Sequence, residues 1–400
     1  MIDKSNFFGI CEVFEGATDA GTKPEQTVEL AAALGCKSMR LWMHHTDLMR
    51  LNAKGEPVFL PQKLKMYKDA VARLTGAGIR HLTGMNHNYL YPPAFTAEYG
   101  NVPFNVIPFP NGEHYAPFLR LLETASEMLA REFPDVKNWE PGNEVNLDRF
   151  IAKPGYPEKD APPEGRGSAA ITYTDDEKAG IAVDLTFYAA RGIRRANPAA
   201  RIALPSPAGG PECTAGFIDL VYRKIESGAF PRHGAPERSP RAYFDVLTYH
   251  PYNFDGQFWR LEEEFYNRVQ SVAAAHGNAD IPVFITEYGY YDDDLVKFGL
   301  NPRESDIRQA AYLVGDFDAL KKLKCVETVH YFRLYDWLEG PGMEKTFGLF
   351  TSPAHGAGIV PKAKGLALYK YFKGADADIR PLYRFARIDV QGDQKFLNGK

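Results

Sequence analysis

The sequence predicts a (β/α)8 barrel. Three observations carry that expectation. Eight short apolar runs alternate with amphipathic helical stretches along the 400 residues. The joins from helix to strand are mostly short, and several joins from strand to helix are long. Strands that alternate with helices must pair in parallel, because a parallel pair needs a crossover connection. Long loops confined to the strand-to-helix side are what a barrel with a working C-terminal face requires.

The strands are expected at residues 6–13, 36–43, 80–86, 137–145, 201–206, 244–252, 282–290 and 326–335. The helices between them read as 24–34, 61–75, 114–133, 176–197, 214–227, 258–276, 303–323 and 362–372. Their ends carry entry and exit signals. The first starts with Pro24 and stops at Gly35, and the second stops at Gly76. The third halts before Pro134, and the fourth has a Thr-Asp-Asp entry and halts before Pro198. Gly228 and Gly277 close the fifth and sixth. The long strand-to-helix joins are 87–113, 146–175 and 336–361, and the second of these holds a Pro-, Gly- and charge-rich excursion at 153–167 that reads as a lid. One long join, 228–243, falls on the opposite side and has no functional account. Residues 1–378 are thus expected to form the barrel. The tail 379–400 reads as one or two short strands around 391–393, packing on the barrel or forming the stub of a second domain.

Composition narrows the function. Lys+Arg 47 against Asp+Glu 51 leaves a net charge of −4, without the basic excess that a nucleic-acid surface needs. No apolar run approaches the roughly 18 residues of a membrane span. Cys11, Cys36, Cys213 and Cys325 are too few and too scattered for a disulfide scaffold and read as buried thiols. The start, MIDKSNFFGICEVFE, lacks the pattern of a signal peptide. That places the chain in the cytoplasm if this start is native, and in the periplasm or outside the cell if a signal has been removed. The glycines form neither a dinucleotide nor a phosphate-loop pattern, and no Ser elbow is present. No cofactor is expected, and the oligomeric state is left open.

Two segments carry chemistry. Trp139-Glu140-Pro141-Gly142-Asn143-Glu144 ends the fourth strand, and Phe284-Ile285-Thr286-Glu287-Tyr288-Gly289 ends the seventh. Each aims a carboxylate at the barrel mouth. Two carboxylates flanking one bond are the minimum for cleaving a glycoside. One gives a proton to the leaving oxygen and the other attacks the anomeric carbon. Held close, they cannot both ionise easily, so their pKa values separate.

Asn-Glu at the end of strand four together with Thr-Glu-Tyr-Gly at the end of strand seven resembles clan A of the retaining glycoside hydrolases, in the flavour of families 39 and 5. The resemblance runs from strand two to strand eight. It implies Glu144 as general acid/base, Glu287 as nucleophile and Asn143 as a partner of the sugar 2-hydroxyl. Arg40, in Ser-Met-Arg-Leu-Trp on strand two, resembles the clan's arginine beside the nucleophile. His250 and Tyr252, in Tyr-His-Pro-Tyr on strand six, resemble its histidine and tyrosine at that strand end. On strand eight the clan's sugar-floor tryptophan is replaced by Phe332, with Trp337 slightly later as a substrate-binding candidate. His87, between Asn86 and Asn88 on strand three, is a further candidate by position. The resemblance implies an oligosaccharide or polysaccharide substrate, with β-D-glycosidic or α-L-arabinosidic bonds favoured.

Two other readings stay open at this stage. One is a catalytically idle carbohydrate-binding barrel. The other is a metal-dependent barrel hydrolase or isomerase on His44, His45, His87 and His250. Against the latter, His44 and His45 are adjacent, adjacent residues in an extended run face opposite ways, and no HExxH pattern exists. No metal site is assigned. Asp292-Asp293-Asp294 reads as a solvated charge run.

Overall fold

The computed structural model describes residues 3–12, 14, 23–100, 106–156, 171–228, 237–252, 258–292, 296, 299–337 and 342–387. Among the described residues ten strands run in chain order: β1 Phe8–Glu12, β2 Ser38–Trp42, β3 Met49–Leu51, β4 Pro57–Phe59, β5 His81–Met85, β6 Asn138–Glu140, β7 Arg201–Ile202, β8 Leu247–Tyr249, β9 Val283–Tyr288 and β10 Val326–Phe332. Eight of them form one parallel sheet in the order β7-β6-β5-β2-β1-β10-β9-β8. Bridges Ala203↔Val246 and Ala208↔His250 join the two ends of that sheet, also in parallel. The expected barrel is therefore present, with β6 as its fourth strand, β8 as its sixth, β9 as its seventh and β10 as its eighth.

The helices are α1 Pro24–Leu34, α2 His45–Leu48, α3 Pro61–Gly76, α4 Pro93–Tyr99, α5 Tyr115–Glu132, α6 Asp175–Ala196, α7 Pro211–Ser227, α8 Pro240–Tyr243, α9 Phe258–Ala275, α10 Pro302–Lys322 and α11 Ala363–Lys373. The eight long ones cover the sheet, and local chemistry sets their ends. Proline opens α1, α3, α7 and α10, where its missing N–H costs nothing. Thr174 with Glu177 and Asn301 with Glu304 close capping boxes on α6 and α10. Gly35 ends α1 at φ 90°, a conformation that a β-carbon disfavours.

The strands alternate as a half-polar wall should. Met39, Leu41, Leu82, Ile202, Val283 and Ile285 are fully buried in the main core between sheet and helices. The opposite face fills the barrel with polar groups. At its floor Ser38 Oγ lies 2.6 Å from His330 Nε2 and 3.1 Å from His81 Nδ1. His81 Nε2 meets Glu327 at 3.1 Å, and Arg201 holds Glu327 by two bonds of 2.8 and 3.0 Å. Ser38 and His330 are fully buried, so their polar atoms depend on protein partners, while Arg201 reaches the floor from the partly exposed rim.

Several details differ from the sequence reading. A hairpin of β3 and β4, together with α2, occupies the second strand-to-helix join, which the sequence left unstructured. The fourth strand stops at Glu140, five residues early, because Pro141 has no N–H for the ladder. Glu144 therefore lies beyond the strand and not on its end. Asp292 is not simply solvated: its Oδ1 accepts from Lys362 at 2.5 Å and Lys364 at 3.1 Å, while Asp293 and Asp294 lie outside the described residues. Cys213 is exposed, whereas Cys11, Cys36 and Cys325 are buried as expected. Of the tail, Arg380–Tyr383 forms a 3-10 turn with Leu382 and Tyr383 buried. The strands expected around 391–393, and most of the 153–167 excursion, lie outside the described residues.

Candidate active site

The C-terminal mouth of the barrel gathers side chains from four of its strands. Arg40, on β2, is fully buried and sits at the centre. Its Nε–H donates to Glu140 Oε2 at 2.7 Å, Nη1–H to Glu287 Oε1 at 2.5 Å and Nη2–H to Asn143 Oδ1 at 2.6 Å. Nη1 also lies 3.5 Å from Cys11 Sγ. A planar guanidinium presents its donors in a fixed fork, so one side chain sets the positions of three acceptors at once. Burial pushes the Cys11 thiol up to about 12, so it stays neutral beside this cation.

Glu287 receives a second donor, the Tyr252 hydroxyl, at 3.0 Å on its other oxygen. Both oxygens of Glu287 therefore act as acceptors. Its neighbour Thr286 reaches the same network, although adjacent strand residues normally face opposite ways. The β9–β10 pairing explains this. Ile285 pairs with Val329, but Tyr288 pairs with Tyr331, so β9 carries one extra residue. Such a bulge re-aims side chains at a barrel rim, and here it brings two consecutive residues to the mouth. Just beyond, Gly289 lets the chain pass under β10, where a β-carbon would come within 2.3 Å of the Phe332 carbonyl oxygen.

Glu144 occupies the turn after β6 at φ 43°, in the left-handed region that non-glycine residues avoid at roughly 1–2 kcal/mol. Its Oε1 lies 3.0 Å from His250 Nδ1. Burial raises the Glu144 carboxyl to about 7, against the opposing pull of Arg149 and Arg40. Burial likewise pushes His250 down to about 4, so its ring is neutral. Ligand-type atoms of Glu144, His250 and Glu287 all lie within 4.8 Å of one another.

The structure thus brings Arg40, Asn143, Glu144, His250, Tyr252 and Glu287 into one hydrogen-bonded group. His87 stands at its edge, 6.1 Å from Trp42 and 4.3 Å from His44 between ring centroids. Trp337 lies just beyond β10, with the Arg333 guanidinium 5.2 Å from its ring centroid. Phe332 packs instead with Cys11 and Phe347, beside Trp42 and Tyr252. Of the four histidines weighed for a metal, His45 packs separately against Tyr89. Among the described residues the quartet forms no metal-like cluster.

Sequence reasoning missed two members. Glu140 is fully buried and accepts from Arg40, from the Ser206 backbone N–H at 3.2 Å and from Thr286 Oγ1 at 3.3 Å. Thr286 in turn lies 3.0 Å from His250 Nε2. The signal for Glu140 was present, since it ends the fourth strand four residues before Glu144.

No family model matches the chain, and no curated protein matches it. Its fold is shared by glycoside hydrolases of families 39 and 1. A family 39 glycoside hydrolase from Bacteroides cellulosilyticus WH2 superposes with a TM-score of 0.61 at 15% identity, over 93% of this chain and 64% of that one. A monomeric β-xylosidase from Caulobacter crescentus CB15 gives 0.58 at 19% identity, over 92% and 68%. A family 1 β-glucosidase from Thermotoga maritima gives 0.60 at 14% identity, over 94% and 98%. The chain spans slightly less than two thirds of the first of these and nearly the whole of the last. These likenesses establish the (β/α)8 barrel fold. Among the described residues no helix is long and apolar enough to cross a membrane.

Proposed function

We propose that the protein is a retaining glycoside hydrolase. The observation that carries this reading is the pairing of a carboxyl that burial raises to about 7, Glu144, with a carboxylate whose two oxygens accept from Arg40 and Tyr252, Glu287. Their nearest oxygens are within 4.8 Å. Retaining enzymes hold the two groups about 5–5.5 Å apart, whereas inverting enzymes need about 6.5–9.5 Å to admit a water between them.

In the first step Glu144 gives its proton to the glycosidic oxygen, and the electrons of the breaking bond stay on that oxygen. Glu287 attacks the anomeric carbon from the other side and forms an ester. In the second step Glu144 takes a proton from water. The water oxygen bonds to the anomeric carbon and Glu287 is released. Arg40 stabilises the negative charge that returns to Glu287. Because Arg40 occupies the oxygen of Asn143, the amide NH2 is turned the other way, as a donor for a sugar hydroxyl. Two inversions give net retention, and no cofactor takes part.

The substrate class rests on the resemblance to the retaining clan. β-D-glycosides lead, with α-L-arabinosides second, and the neighbours include a β-xylosidase and β-glucosidases. The test is hydrolysis of an aryl glycoside panel with proton NMR of the first-formed sugar. The expected result is one active glycoside and the retained anomer. An inverted product, or no turnover across the panel, contradicts the proposal.

A further inference from the structure

Behind Glu144 runs a line of hydrogen bonds that the double displacement does not use. Its direction can be worked out from one end. Glu140 accepts from Arg40 Nε at one oxygen and from Ser206 N–H at the other. The Thr286 hydroxyl also donates to Glu140 Oε1, at 3.3 Å. With its single proton committed there, Thr286 Oγ1 can only accept from His250 Nε2, 3.0 Å away. The proton of the neutral imidazole is thereby placed on Nε2, and Nδ1 is left with a bare lone pair. That lone pair faces Glu144 Oε1 at 3.0 Å.

We infer that Thr286, acting through His250, is a positioning residue that holds Glu144 in its proton-bearing form. This rests on the glycosidase reading, in which Glu144 is the acid/base. A bare Nδ1 welcomes the Glu144 O–H and repels the carboxylate. Before the first step it keeps the proton in place at the acid. In the second step it makes Glu144 a stronger base toward water, because the proton taken up regains its acceptor. Thr286 touches no reacting atom. A flipped proton, on Nδ1, would reverse the preference by donating to the carboxylate.

Other charges face the same carboxyl from every side, and none duplicates this contact. Arg149 comes from its own loop, Arg40 from β2, Tyr252 from beyond β8, Glu287 from β9 and Glu344 from the 3-10 turn Gly342–Thr346. His250 itself faces Glu287, Arg40 and Glu140. Arg149 and Arg40 favour the ionised form of Glu144, and Glu344 and Glu140 oppose it.

Two NMR measurements and one kinetic one test the inference. In protein carrying ¹⁵N-histidine, His250 should show protonated Nε2 and unprotonated Nδ1. Protonated Nδ1 overturns the relay in wild type, whether or not any variant folds. In ¹³C-glutamate protein, Thr286→Val should lower the Glu144 titration midpoint by about one pH unit, the scale of exchanging an accepting for a donating contact. Thr286→Ser, which keeps the hydroxyl, should restore it. The alkaline limb of kcat/KM on an aryl glycoside should move with that midpoint. A uniform loss of kcat at all pH values with an unmoved limb would show a merely structural threonine and overturn the inference. Failure of wild type to hydrolyse any glycoside would overturn the proposed function, while the titration would still decide the relay.

Discussion

Arg40 Nη1 stands 2.5 Å from Glu287 Oε1, a contact made across the barrel interior between its second and seventh strands. The same guanidinium holds Glu140 and Asn143. One buried cation therefore sets Glu287, Asn143 next to Glu144, and Glu140, which accepts from Thr286 beside His250. Buried charges persist only when each is matched, so this arrangement is rigid by necessity as well as by packing.

Arg40→Met should consequently unfold the site from within. Removing one partner of a buried pair typically costs about 3–5 kcal/mol, because the other charge is left unmatched. Urea unfolding of the variant should show a loss of that order. A change below about 1 kcal/mol would mean that Glu140 and Glu287 reach water, against the burial seen here.

On the proposed reading, Glu287→Gln replaces the attacking carboxylate with a neutral amide of the same shape. The loss in kcat should be at least about 10⁴-fold, the scale on which nucleophile removal acts, with the urea midpoint little changed. Wild-type turnover in this variant would remove Glu287 from the chemistry.

On the same reading, Glu144→Ala removes the proton donor and spares the attack. Turnover should fall about 10²–10⁴-fold on glycosides with poor leaving groups. It should fall much less on activated aryl glycosides, whose oxygen departs unaided. Added azide should restore turnover and yield a glycosyl azide of retained configuration. Equal losses on both substrate types would contradict a role as acid.

The raised Glu144 carboxyl also makes a statement about stability. A carboxyl whose pKa rises on folding, here from 4.5 to about 7, binds its proton more tightly in the folded state. Its contribution is neutral below pH 4.5, and stability falls as the pH climbs from there toward 7. The full difference is worth about 3 kcal/mol. Glu144→Gln should therefore match wild type near pH 4 and exceed its stability by up to about 3 kcal/mol at pH 8. Equal stability at both pH values would show that the carboxyl is not perturbed.

Much of this was legible in the chain because it depends on local signals. Prolines at helix starts, the Gly35 stop and the apolar runs fix eight strand–helix units, and the two glutamate motifs fall on the fourth and seventh. What escaped notice depends on register and on through-space pairing. The extra residue in β9 turns Thr286 and Glu287 to the same side, and no propensity encodes that bulge. Glu140 resembles any strand glutamate until Arg40 is seen to reach it. The polar floor of Ser38, His81 and His330 reads in sequence as three unrelated residues. Phe332, where the resemblance expects a tryptophan, packs with Cys11 and Phe347 beside Trp42 and Tyr252, a grouping drawn from separate stretches of chain.

Covalent trapping tests the central claim most directly. The protein would be incubated with a panel of 2-deoxy-2-fluoro aryl glycosides, digested, and its labelled peptide sequenced by mass spectrometry. The account predicts one modified residue, Glu287, with activity lost in step with labelling and recovered as the sugar is slowly released. Label on Glu144, label elsewhere in the chain, or hydrolysis of the matching unfluorinated glycoside without any trapped ester would contradict it.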